Sequence, residues 1–214
     1  METLLDFILH SDRYLLEFVH TYGSSWVYGL LFAIVFAETG LVVTPFLPGD
    51  SLLFATGALC ATGALNTPTA FGLLALAAFT GNATNYTIGR LIGPRVFRAT
   101  DRSGFSHRLL NREHLERAHE FFMQYGGKAV ILGRFVPIVR TFVPFVAGAA
   151  QMPSHSFVWF NFLGAAGWVG LCLGAGRLFG EVPVVKENFS LVTIGIVVVS
   201  LLPMVVEYVR HRRR

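Results

Sequence analysis

The sequence predicts an all-α polytopic membrane protein. The expected plan has two oppositely inserted re-entrant helical hairpins, about three full transmembrane helices and amphipathic surface helices, in the inverted-repeat manner of transporters. Three observations lead there. The 214 residues are 53% hydrophobic and only 14% charged, with a mean hydropathy of +0.56, which is too apolar for a soluble domain. Two apolar stretches, 38–51 and 134–148, carry ionisable side chains and are interrupted by prolines. The basic residues concentrate in one loop and at the C-terminus, where a membrane protein keeps its cytoplasmic charge. The pI near 9.4 therefore implies no nucleic-acid partner.

Residues 4–21 place Leu4, Leu5, Ile8, Leu9, Leu15, Leu16 and Val19 at roughly helical spacing, with Asp6, Asp12, Arg13 and Glu17 between them. This predicts an amphipathic helix lying on the membrane surface. The early acids and the absence of a basic leader speak against a signal peptide. Residues 26–37 are apolar up to Glu38, apolar character resumes at 41–47 and again at 52–65, and Pro45, Pro48 and Gly49 cut the region into two short arms. Arms this short predict a re-entrant hairpin over 28–65, with a tilted span over 26–47 as the alternative. Residues 70–92 read as a span whose polar second half, with Asn82, Asn85, Tyr86 and Thr87, looks into the bundle.

The loop 93–128 carries Arg95, Arg98, Arg102, Arg108, Arg112, Arg117 and Lys128, so it is expected in the cytoplasm. Within it 111–125 reads as a surface helix capped by Asn111, with Leu115, Ala118, Phe121 and Phe122 as its apolar face. Spans follow at 157–179 and 189–208, then the basic tail 209–214. If the loop and the tail share the cytoplasmic side, an even number of crossings separates them. The two later spans supply it, so 129–152, broken at Pro137 and Pro144, must enter and return on the cytoplasmic side. The same count makes 28–65 enter from outside. All of this forms a single membrane domain.

The segments FAETGLVVTPFLPGDSLLFATGAL, GNATNYTIGRLIG and GRFVPIVRTFVPFVAGAAQMP closely resemble the bacterial DedA family, within the SNARE-associated or VTT-domain superfamily. The resemblance runs over roughly residues 5–210. It implies an inner-membrane protein with two facing re-entrant hairpins. It also implies lipid translocation, with undecaprenyl phosphate recycling as the leading activity, and dependence on the proton motive force. Related eukaryotic members are linked to phospholipid scrambling. The family's acidic pair falls on Glu38 and Asp50, and its arginine pair on Arg134 and Arg140. Many members carry an acid after the glycine of the 81–93 motif, where this chain has Asn82. If that acid couples protons elsewhere, this chain does without it.

The residues themselves allow two readings each. An uninterrupted helix would set Arg134 and Arg140 on different faces, and a break at Pro137 lets them converge. Their guanidinium forks suit a phosphate head group, or they are structural partners of Glu38 and Asp50. Thr141 either caps the second arm or touches the phosphate. Glu38 and Asp50 are candidate proton carriers, and Asp50 also reads as a helix cap. Asn82, Asn85, Tyr86 and Asn161 line the path or bond between helices. Gly57 and Gly148 are expected to allow close helix approach. His107, His114 and His119 lack zinc spacing and read as solvated surface, and Cys60 and Cys172 as small buried hydrophobes.

The favoured function is therefore transport of a polyprenyl phosphate or phospholipid, linked to protons, with neither cofactor nor metal. A scramblase and a proton-coupled small-molecule or cation exporter are the alternatives. A phosphatase would need a nucleophile or metal beside the arginines, and neither is evident. A scaffold would not explain four ionisable groups in broken apolar segments. A homo-oligomer is compatible with this plan.

Overall fold

The structure, a computed structural model, describes residues 24–40, 49–98, 112–136, 139–180 and 182. The expected surface helix 4–21, Pro45, Pro48, Pro137, loop residues 99–111, the span 189–208 and the basic tail lie outside the described residues. Every regular element among the described residues is helical.

Helix α1, Ser24–Gly40, is apolar almost throughout. It continues past the end of the apolar run 26–37. Glu38 lies in its last turn and is buried, so tertiary contacts accommodate the charge. Helix α2, Gly49–Ala61, carries Asp50 in its first turn, where a carboxylate complements the helix dipole. The chain leaves α2 through Gly63 at φ +79, the left-handed conformation that glycine adopts without steric penalty.

Helix α3, Thr67–Arg98, begins where Asn66 Oδ1 accepts from the Thr69 amide at 3.1 Å. Its 32 residues make it about 48 Å long. It contains the expected span 70–92 and continues into the first residues of the expected loop. Helix α4, Arg112–Tyr125, matches the expected surface helix. Ala118 is fully buried, and Phe121 and Phe122 pack on the same core.

A stepwise turn of helix follows: Gly126–Lys128 (3-10), α5 Ala129–Leu132 and Gly133–Phe135 (3-10). Val136 is then extended, with φ −110 and ψ 107. That is the conformation a residue preceding proline prefers, so the break comes where the sequence puts it. Helix α6, Val139–Ala149, holds Pro144 in its interior. The expectation that Pro144 also interrupts the chain is therefore corrected. Pro144 is buried, and its neighbours Phe142, Val143 and Phe145 belong to one core, whose packing offsets the backbone bond to Arg140 that a proline cannot make. Helix α7, Ser154–Gly180, is the one described helix long and apolar enough to cross a membrane.

The described residues fall into two compact units, one drawn from Met1–Ala33, Pro48–Leu74 and Val169–Arg214, the other from Ile34–Leu47 and Ala75–Trp168. In the second unit, Gly127 lies against Phe160, and Ile131 and Arg134 lie against Gly164, so the chain climbs along α7. After Val136 it returns along α3, with the Phe145 carbonyl against Gly89 and Ala149 against Gly93. Both ends of this segment thus meet the same end of α7, where Arg90 donates to Ser154 Oγ at 2.6 Å. A Cβ on Gly148 would overlap the Tyr86 carbonyl, so only glycine allows this approach.

The first unit repeats that packing with different residues. The Phe54 carbonyl lies against Gly176 and Ala58 against Gly180, and a Cβ on Gly57 would overlap the Leu173 carbonyl. Arg177 donates to Thr67 Oγ1 at 3.0 Å. FATGA at 54–58 meets GRLFG at 176–180 here, as FVAGA at 145–149 meets GRLIG at 89–93 in the second unit. In this unit Cys60 is buried and Cys172 half-buried, and neither is in a disulfide.

Candidate functional site

The site lies within the second unit and is built by the broken segment between α5 and α6. The break at Val136 ends one short helical run just after Arg134 and starts another just before Arg140. The two guanidiniums then converge, each with its central carbon 5.8 Å from the centre of the Trp168 ring. On a continuous helix they would diverge.

Arg134 is 5% exposed, which is costly for a charge unless it is bonded. It donates to Asn161 Oδ1 at 2.8 Å and to the Ala78 carbonyl at 3.3 Å. Asn161, itself fully buried, donates to the Phe79 carbonyl at 2.9 Å and so ties Arg134 to the α3 backbone. Arg140 forms an ion pair with Glu38, which is 1% exposed. Asn85 donates to the carbonyls of Thr141, at 2.7 Å, and Thr39, at 3.3 Å, and so holds α6 and the end of α1 on α3.

A partly open cavity lies among these side chains, lined by Glu38, Thr39, Asn82, Arg134, Arg140, Thr141 and Trp168, with room for about one water-sized occupant. Its lining carries two guanidiniums against one carboxylate, a surplus of one positive charge in a poorly screened setting.

Of the residues expected from sequence, Glu38, Arg134, Arg140, Thr141 and Asn82 come together on this cavity. Asn161 supports it through Arg134. Asn85 and Tyr86 are not among its lining. Tyr86 instead donates to the Met152 carbonyl, accepts from Arg90 at 3.1 Å and stacks on Phe157 with centroids 4.1 Å apart. Asp50 belongs to the other unit. Trp168 and Thr39 were not legible as site residues, because an aromatic and a threonine in apolar helices carry no local signal of a charged neighbour.

An apolar chain whose described elements are all helical, and which buries a cluster of charges where a helix breaks, defines an integral membrane protein with an ionisable cavity. The VTT domain matches residues 47–178, and the chain belongs to the DedA family of VTT-domain membrane proteins. It is 51% identical over 212 residues to Protein DedA of Escherichia coli, covering 98% of this chain and 94% of that one. An uncharacterized membrane protein of Mycobacterium tuberculosis is 43% identical over 196 residues, covering 90% of this chain and 82% of its own length. The inner membrane protein YqjA of Escherichia coli is 37% identical over 158 residues, covering 74% and 70%. No solved structure matches the chain.

Proposed function

We propose that the protein moves an anionic lipid phosphate, above all undecaprenyl phosphate, between the leaflets of the bacterial inner membrane, with a proton as the coupled species. The observation that carries this reading is the Arg140–Glu38 ion pair on the same cavity as Arg134. Guanidinium forks match phosphate oxygens, and a phosphate monoester carries about two negative charges near neutral pH. While Glu38 is ionised it occupies Arg140. A proton on Glu38 removes that competition and leaves both arginines to the phosphate. Phosphate and proton therefore favour each other's binding.

A phosphate head group is larger than the cavity of the described conformation, so the transport cycle passes through another in which Arg140 has left Glu38. Thr141 and Asn82 line the cavity and serve as polar contacts for the phosphate oxygens. Asp50 is a second proton carrier or the acid of its helix terminus.

In this reading 129–152 is a re-entrant hairpin entered from the cytoplasm, and 28–65 is its counterpart from the other face. The like packing within each of the two units supports an internal repeat, the kind of plan transporters use. The basic loop supports a cytoplasmic 93–128. The name of the YqjA relative supports the inner membrane. The protein acts as a transporter and performs no catalysis.

The test is reconstitution of the purified protein in liposomes carrying undecaprenyl phosphate and phosphatidylethanolamine. Sidedness of each lipid is followed with and without a proton gradient. Gradient-dependent movement of undecaprenyl phosphate is expected. Movement of neither lipid overturns the proposal, and equal movement of both replaces it with scrambling.

A further inference from the structure

Asn82 is 3% exposed and lines the cavity, yet no hydrogen bond reaches its amide among the described residues. A buried polar group in that state costs stability, and native chains rarely keep one without a use for it. Its neighbours on α3 are engaged. A Cβ on Gly81 would overlap the Thr39 hydroxyl, and Asn85, one turn on, donates to the Thr39 and Thr141 carbonyls. The backbone under Asn82 is therefore fixed by packing on α1 and α6, while its amide is left to the cavity.

That amide differs in kind from the charged groups around it. The guanidiniums of Arg134 and Arg140 only donate, and an ionised Glu38 only accepts. Asn82 both donates and accepts, whichever way its amide is turned. An occupant that satisfies both sides must itself offer an acceptor and a donor. The monoanion of a phosphate monoester does so, with charged oxygens and one P–OH. A phosphodiester, the linkage of an ordinary phospholipid, has no P–OH and would leave the Asn82 side-chain carbonyl buried without a partner.

We propose that Asn82 is a specificity-determining residue of this site. Its amide donates to a phosphate oxygen and accepts from the P–OH, so the site takes a phosphate monoester in preference to a phosphodiester. The inference rests on the phosphate-transport reading and narrows it to one class of lipid phosphate.

Binding of farnesyl phosphate and of its methyl diester to the purified full-length protein in non-ionic detergent tests it, with farnesol as the uncharged control. The measurements are made at about pH 6, near the second ionisation of a phosphate monoester, where much of the ligand carries a P–OH. The native protein is expected to bind the monoester more tightly than the diester. Asn82→Leu replaces the amide with an apolar side chain of similar size. The monoester then loses a donor and an acceptor. The diester loses a donor together with the carbonyl it could not satisfy, so its affinity changes little. The ratio of the two affinities is expected to fall about tenfold. Should Leu overfill the site and impair folding, Asn82→Ala, with a smaller side chain, gives the same comparison.

A preference that rests on charge alone would survive both variants, so an unchanged ratio overturns the inference. Equal binding of monoester and diester by the native protein overturns it too. If the native protein binds farnesyl phosphate no better than farnesol, the transport reading itself falls. Native binding of both phosphates above farnesol, with a ratio that ignores residue 82, removes only the role of Asn82.

Discussion

Arg140 and Glu38 are paired across 102 residues of sequence, joining the start of α6 to the last turn of α1. The pair is nearly dry, with side chains 14% and 1% exposed. Removing one partner leaves the other as a poorly solvated charge, so each residue constrains what the other can do.

Arg140→Lys keeps the charge and loses the planar fork. Transport of undecaprenyl phosphate in liposomes is expected to fall about tenfold or more, while the helical circular dichroism of the protein is unchanged. A rate equal to that of the native protein would show that a point charge suffices and that bidentate recognition is absent.

Glu38→Gln keeps the size of the side chain and removes its proton exchange. Lipid movement by this variant is expected to be the same with and without an imposed gradient, where the native protein is stimulated. Persistent stimulation would take the coupling away from Glu38, and Asp50→Asn would then be the variant to measure.

Asn161→Ala leaves the buried Arg134 without its side-chain acceptor and frees the Phe79 carbonyl. A loss of about 3 kcal/mol is expected from reversible unfolding in detergent. A loss below about 0.5 kcal/mol, the scatter of ordinary surface changes, would mean that Arg134 finds its compensation elsewhere.

Gly148→Ala and Gly57→Ala put a methyl group into the backbone of a neighbouring helix. Each is expected to destabilise by about 1–3 kcal/mol or more, and by similar amounts because the two units share one packing scheme. Gly174→Ala meets nothing within 4 Å and is expected to be neutral or stabilising, since alanine favours helix. Thermal melts of the three variants side by side decide this, and equal melting temperatures would contradict the close approach.

The helical, membrane-embedded character and the family were legible from composition and motif alone. So was the break after Arg134, because Pro137 removes a donor and restricts Val136 whatever surrounds it. The surface helix ending at Tyr125 was equally legible, since its apolar stripe is a local pattern. Pro144 was misread for the complementary reason. A proline weakens a helix locally, but whether the helix survives depends on packing that lies far away in sequence.

By itself the sequence determined which residues bear charge inside apolar segments and where the chain must bend, because those are properties of single residues and their immediate neighbours. Only the tertiary structure decided that Arg140 meets Glu38, that Asn161 holds Arg134, and that Trp168 stands beside both cations. Those relationships arise where α1, α3, α6 and α7 are brought together by close glycine contacts, and no local pattern encodes which side chains will then meet.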